Sequence, residues 1–281
     1  MKIMDYPCSG EHSVFPFSQS GMNSDDMAKL AKAVCQNRGT SFCVLPFCHT
    51  LEAEAMGAQI FLGDEKSGPR VRSFSFTSLD ALEEKLDFNW ETPRLKDVLD
   101  ACRQLQTQGE RVLFQISGPL TILGSLHPPD LLYRGLRKDT ERILRLMDRI
   151  NMLLLQLIRK VEEQGVNLFS YADPSAAVNI VGPKYAEIIA QLVTVPFLRE
   201  WDRQADNEAL VFLCPKTAYA LVGADCADWQ TVPLPERMNY AEAALSLQKN
   251  LRFVGQSCIN QTNHSINHIM ELKLKKEAVF C

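Results

Sequence analysis

RVLFQIS (111–117), GPLT (118–121) and, after a long amphipathic stretch, VNLFSYADP (166–174) decide the fold. The first and last are short apolar runs with the length of buried strands. Between them Ile143, Met147, Ile150, Leu154, Leu157 and Val161 recur at three- and four-residue steps, the spacing of one helix face. Asp139 is placed to cap that helix and Gly165 to stop it. Strand, long helix and strand at this spacing form a βαβ unit, which requires parallel strands because the chain must cross back over the sheet. Both strands run out into turn or polar residues, Ser117, Gly118 and Pro119 after the first and Asp173 and Pro174 after the second. In α/β folds the carboxyl ends of parallel strands are where ligands bind.

The same theme extends in both directions. Strand candidates fall at 42–47, 58–62, 111–117, 167–172, 210–214, 225–230, 251–256 and 277–280. Helical stretches alternate with them: 27–36, capped by Ser24 or Asp25; 51–56; a short one from Ser78 or Asp80 to Leu86; 93–108; the long helix; 185–201, kinked or divided at Pro196; 217–222; 240–248; and 266–275. Alternation throughout predicts an α/β fold, a (β/α)8 TIM-type barrel ahead of a doubly wound sheet, in a single domain over 1–281. Residues 1–22 read as an irregular N-terminal arm and 64–78 as a loop or hairpin over the barrel face. The expected barrel lacks its final helix, so a homodimer that covers the edge is expected.

Composition narrows the function classes. The chain has 281 residues, 46% of them hydrophobic, with a net charge of −4, which suits a large core. No basic block points to nucleic acid, and no Lys/Arg-rich amphipathic stretch points to a membrane surface. The most apolar segment, 150–158, is too short to span a bilayer, and the first residues lack the apolar core of a signal peptide. Nine cysteines without a CxxC pair read as reduced thiols in a cytoplasmic setting, with Cys35 and Cys102 as small core residues. No GxGxxG or P-loop sequence is present.

The candidate chemistry lies at strand ends. Cys48 and His49 follow the first strand, Cys214 ends ALVFLC, Cys258 follows LRFVGQS and Cys281 ends EAVFC; Asp173 joins from another strand. On one barrel rim, with first and last strands as neighbours, Cys48, His49, Cys258 and Cys281 would approach one another. Thiolates and imidazole are zinc ligands, and zinc makes a bound thiol a nucleophile at neutral pH. Strand-end cysteines are also commonly just buried. His264 and His268, four apart, could ligate from one helix face, although Asn260, Asn263 and Asn267 around them read as a solvated helix start. Asp173 before Pro174 either caps a turn or contacts a ligand.

At EAEAMGA (52–58), ISGPLTILGSL (116–126), EQGVNLFSYADPSA (163–176) and NLRFVGQSCIN (250–260) the sequence resembles the uroporphyrinogen decarboxylase superfamily over roughly residues 40–281. The branch it resembles more is the methylcobamide:thiol methyltransferases. The resemblance implies a (β/α)8 barrel and a methyl group moved between a methylcobamide, carried on a partner corrinoid protein, and a small thiol acceptor. Cys214 and Asp173 would be catalytic, and Gln115, Ser117, Tyr171, Cys48 and His49 would contact substrate. In that branch a His-x-Cys pair and a later Cys bind zinc. Here the pair reads Phe212-Leu213-Cys214, and Cys281 is the nearest later Cys. Zinc is then either lost or rebuilt on Cys214 and Cys281 with His49 or Cys48. A non-catalytic accessory barrel is the alternative. A porphyrinogen decarboxylase fits less well, since its arginine-bearing N-terminal motif is missing and Cys48 falls near its essential Asp.

Overall fold

A computed structural model describes residues 19, 21–64, 67–205, 207–261 and 264–276. The described residues form two compact units that meet in sequence between Asp173 and Pro174.

In the first unit the order is α1 (Ser24–Arg38), β1 (Cys43–Leu45), α2 (Leu51–Ala55), β2 (Gln59–Phe61), β3 (Arg70–Ser73), α3 (Leu79–Lys85), α4 (Pro93–Thr107), β4 (Val112–Ser117), α5 (Pro119–Leu126), α6 (Pro129–Lys138), α7 (Thr140–Glu162) and β5 (Leu168–Ala172). β4 lies between β1 and β5, parallel to both, with Leu45 opposite Phe114 and Ser117 opposite Ala172. All six residues of β4 are buried, as expected of a strand covered on both faces, which is why it reads as one apolar run. α7 buries Ile143, Met147, Ile150, Leu154, Leu157 and Val161, the expected stripe. Gly165 follows it with a φ of 86°, a left-handed conformation that glycine adopts without strain.

Two local expectations change here. The cap of α1 is Asn23, whose Oδ1 accepts the Asp26 amide at 3.0 Å, while Ser24 and Asp25 are already helical. Asn serves because its short side chain reaches back to the orphan amides of the first turn. The 58–62 strand is real but belongs to a separate two-stranded sheet, antiparallel to β3. The hairpin expected within 64–78 is therefore the second half of this β2–β3 pair.

The second unit contains α8 (Val178–Val181), α9 (Pro183–Ile189), α10 (Val195–Gln204), β6 (Leu210–Leu213), α11 (Pro215–Gly223), β7 (Ala227–Asn239), α12 (Tyr240–Ser246), β8 (Phe253–Val254) and β9 (Ser265–Leu274). The expected break near Pro196 occurs as a π-helical turn over Ala190–Thr194, which sets Pro196 in the first turn of α10, where its missing N–H costs nothing. β6 and β8 are parallel, but β8 pairs antiparallel with β9, and β9 with β7.

The helix expected over 266–275 is thus a strand. Ile266, Ile269, Met270 and Leu274 fall at helical steps, which misleads locally. As β9 the segment pairs with β7 from Asn239–Ser265 to Ala227–Leu274, and this long-range ladder overrides the local spacing. The weak 225–230 candidate is correspondingly the start of a 13-residue strand. His264 and His268 therefore do not share a helix face: His264 Nε2 meets Ser257 Oγ at 3.1 Å, and His268 Nδ1 meets Asn267 Oδ1 at 2.8 Å. The strand candidate at 277–280, Cys281 and nearly all of the 1–22 arm lie outside the described residues.

The strand assignment makes a prediction. Ile269 is fully buried, so Ile269→Ala should cost about 2–5 kcal/mol. His268→Ala, at an exposed neighbour, should stay within about 0.5 kcal/mol of wild type. Urea unfolding at constant slope reads both, and equal effects would count against the burial pattern of β9.

Candidate active site

Because β1, β4 and β5 are parallel, their carboxyl ends lie on one side of the first unit. Two buried carboxylates organise that side.

Asp173, just after β5, is the first. Its Oδ2 accepts the Leu120 amide at 3.0 Å, and its Oδ1 accepts the Thr121 amide at 2.8 Å and the Thr121 hydroxyl at 2.6 Å. Both oxygens thus bind the first turn of α5, where orphan amides and the helix dipole favour a negative group. Burial pushes the carboxyl pKa up, and the bonds from Thr121 and Leu120 oppose the rise. Gly118 donates its amide to Ala172 O at 2.7 Å. A Cβ on Gly118 would sit 2.2 Å from the Asp173 Cβ, so the glycine is required by close approach and not by backbone conformation. GPLT and ADP are therefore two halves of one contact.

Glu52, in the first turn of α2, is the second. It is 1% exposed. Its Oε1 accepts the Ser117 amide at 2.7 Å, while its buried Oε2 has no hydrogen-bond partner. Burial pushes its pKa up to about 7; the Ser117 amide and hydroxyl and, more weakly, the Arg94 charge oppose the rise. Ser117 Oγ lies 3.4 Å from His49 Nδ1. The His49 ring is accessible to solvent, yet the protein packed around it desolvates the imidazolium and pulls its pKa below the usual range.

Beside this array, Arg94 at the start of α4 is buried, with its guanidinium turned to Glu54, Thr50 and Cys48. Its Nε pairs with Glu54 Oε2 at 2.6 Å, one terminal nitrogen donates to Thr50 Oγ1 at 3.0 Å and the other to Cys48 Sγ at 3.5 Å. Cys48 Sγ also meets Thr50 Oγ1 at 3.1 Å and Gln19 Oε1 at 3.7 Å. Gln115, two residues before Ser117 and so on the same strand face, donates from Nε2 to Pro46 O at 2.8 Å. Tyr171 is buried on β5, and burial first, then Asp173, pushes its phenol well up. Cys102 is a buried core thiol, pushed up by burial.

The structure thus brings Cys48, His49, Gln115, Ser117, Tyr171 and Asp173 to neighbouring strands and strand ends of one unit. It adds Glu52, Thr50, Arg94 and Thr121, which the sequence reading missed. A signal existed for Glu52: a carboxylate among alanines in an otherwise buried helix. Cys214 belongs to the second unit, where it is half-buried and precedes α11. Phe212 is buried and packs edge-on to Tyr240 at 5.9 Å between ring centroids. Among the described residues no three His, Cys, Asp or Glu gather as metal ligands. Cys281 lies outside the described residues.

Two predictions follow from the carboxylates. Gly118→Ala must displace Asp173 and should cost about 1–3 kcal/mol; a variant as stable as wild type in urea would refute the close contact. For Glu52, the folded carboxyl keeps its proton to about pH 7, whereas the unfolded one loses it near 4.5. The folded state then binds more protons between these values, so Glu52 lowers stability as pH rises through the window. Ser117 from β4 and, more weakly, Arg94 from α4 are the groups that modulate it, and Arg94 is itself paired with Glu54 on the helix of Glu52. Glu52→Gln should gain on wild type by roughly 3 kcal/mol from pH 4.5 to 7 and no further above. A pH-independent difference in unfolding free energy would exclude the raised carboxyl.

Comparison with known proteins places the chain in a family. The chain is 22% identical over 227 residues to the methylcobamide:CoM methyltransferase MtbA of Methanosarcina mazei, covering 79% of this chain and 66% of that protein. It is 23% identical to the methylcobamide:CoM methyltransferase MtaA of Methanosarcina barkeri, covering 83% of this chain and 69% of that one. The chain thus spans about two thirds of the length of these relatives. The solved structure of a methyltransferase from Methanosarcina mazei superposes with a TM-score of 0.62 at 20% identity, over 73% of this chain and 63% of that one, which shows a shared TIM-barrel-type α/β fold. The family model for uroporphyrinogen decarboxylase (URO-D) matches residues 12–257, and the chain belongs to that family.

Proposed function

We propose that this protein is a corrinoid-dependent methyltransferase that moves a methyl group between a methylcobamide and a thiol or similar acceptor, with the methylcobamide carried on a partner corrinoid protein. The observation that carries the reading is the Glu52–Ser117–His49 array at the ends of β1 and β4, in a family member whose relatives are named methylcobamide:CoM methyltransferases. Strand carboxyl ends are the catalytic side of this architecture. Methyl transfer from cobalt needs little from the protein beyond alignment of sulfur with carbon and removal of the thiol proton.

On this reading Gln115 and Ser117 shape the substrate side of β4, Tyr171, opposite Ile116 in register, lies on the other face of β5, and Asp173 holds α5 so that the substrate side keeps its form. Cys48 and His49 reach it from the end of β1. Cys214, at the end of β6 in the second unit, is the catalytic candidate that the resemblance names. A porphyrinogen substrate is disfavoured by Arg94: a polycarboxylate needs available cations, and this buried arginine is already taken up by Glu54, Thr50 and Cys48.

A second reading, a non-catalytic binding barrel, is favoured by Phe212, since an aromatic packed on Tyr240 replaces the ligand expected from the family motif.

The test uses the reduced, anaerobically purified protein, with and without added zinc, incubated with methylcobalamin and a panel of small thiols. Methyltransferase activity predicts thiol-dependent loss of the methylcobalamin spectrum and formation of the methyl thioether. Methylcobalamin that persists with every thiol, alongside saturable corrinoid or thiol binding, would establish the binding-barrel reading. Cys214→Ala assayed in parallel, with its metal content, tells whether Cys214 contributes to the acceptor site.

A further inference from the structure

We propose that Gly255 and Gln256 are positioning residues that set Cys214 for the acceptor, a role that rests on the methyltransferase reading for what Cys214 does and on the geometry of the second unit for how it is held.

The chain leaves β8 with a division of labour between these two residues. β8 pairs with β6, Val211 opposite Phe253 and Phe212 opposite Val254, and Val254 also pairs with Glu271 of β9. β8 ends there, and the next bonds to β9 come from a side chain. Gln256 Oε1 accepts the Met270 amide, and Gln256 Nε2 donates to His268 O at 3.4 Å. A carboxamide carries an acceptor and a donor, as a peptide unit does, so it can stand in for a missing ladder step. With β9 served by Gln256, the Gly255 backbone is left to approach β6 and α11.

That approach is close. A Cβ on Gly255 would sit 2.7 Å from the Ala218 Cβ and 3.2 Å from both the Leu213 Cβ and the Leu213 O. The two residues it would meet bracket Cys214. Leu213 precedes Cys214 in the chain, and Ala218 donates its amide to Cys214 O at 3.0 Å, closing the first turn of α11. A side chain at 255 must therefore push the end of β6 or the start of α11, and Cys214 moves with either. Methyl transfer to sulfur depends on alignment, and a displacement of about 1 Å costs about 10²-fold in rate. Gly255 and Gln256 act on that alignment only through Cys214.

The test joins kinetics to the reactivity of the thiol itself. Gly255→Ala, Ala218→Gly and the pair Gly255→Ala/Ala218→Gly are assayed in the reduced full chain for methyl transfer from methylcobalamin to small thiols. Alkylation by iodoacetamide is followed in parallel at one pH, with mass spectrometry of the Cys214 peptide to single it out among nine cysteines. Gly255→Ala should lose about 10²-fold in kcat with little change in KM for methylcobalamin, and its Cys214 alkylation rate should move about tenfold from wild type. The pair, which removes the 2.7 Å contact, should recover most of both effects. Ala218→Gly by itself weakens a helix, so such a rescue cannot come from general stability. Gln256→Leu removes both bonds to β9 with Gly255 in place; it should shift Cys214 alkylation and lower kcat by about tenfold, and it carries the test if Gly255→Ala does not fold. Wild-type kcat in a folded Gly255→Ala, no recovery in the pair, or a Gln256→Leu that matches wild type in both readouts would overturn the positioning role. Altered alkylation that the pair restores, with no methyl transfer by any protein, wild type included, would support the positioning role and overturn the methyltransferase reading instead.

Discussion

The contact between Asp173 and the first turn of α5 is the constraint on which the rest of the candidate site depends. It spends three hydrogen bonds on one carboxylate, and bonds to charged groups contribute about 1.5–3 kcal/mol each. More important is what it fixes. α5 begins directly where β4 ends, so clamping α5 to the end of β5 sets the direction in which Ser117 leaves the sheet. Gly118 allows the clamp to close because nothing larger fits against Asp173. Ser117 is then presented by its amide to Glu52 and by its hydroxyl to His49, neither of which is its sequence neighbour.

The two carboxylates make an instructive contrast. Both are buried, and burial raises the pKa of each. Asp173 spends both oxygens on the protein and is a structural hinge pin. Glu52 spends one and leaves the other buried and unpaired. A half-satisfied buried carboxylate destabilises the fold, since a buried acceptor without a partner costs about 1–3 kcal/mol. Such a cost is tolerated where a site uses it, and the accessible imidazole at the other end of the array is the group through which it would be used.

Much of this was legible in the sequence because it is local. The apolar runs at 112–117 and 168–172, the stripe of α7 and the proline start of α4 all follow from residues within one or two turns of one another. The strand-end polar residues Gln115, Ser117, Asp173, Cys48 and His49 were visible for the same reason. What was not legible depends on partners far away in the chain. Nothing within 266–275 distinguishes a helix from a strand; β7, some forty residues earlier, decides it. Glu52 reads as a surface carboxylate until Ser117, 65 residues on, is seen to bind it. Arg94 likewise reads as a solvated helix residue until Thr50 and Glu54 close around it.

The second unit shows how the same scaffold can shift its chemical burden. Along β6 the Phe212 ring is buried edge-on to Tyr240, and Tyr240 in turn stacks on His264 at 5.7 Å. A phenyl ring offers packing but no lone pair, so Phe212 supplies stability here and no ligand. Edge-to-face aromatic pairs contribute about 0.5–1.5 kcal/mol beyond burial, so this pair favours stability. It does nothing for an acceptor thiol, whose proton must still leave before sulfur becomes a strong nucleophile. On the proposed reading that demand passes to the end of β1, where an accessible imidazole is backed by a serine and a buried carboxylate. Within the first unit, the half-satisfied Glu52 and the accessible His49, both bonded to Ser117, are the groups to which the proposed reading turns.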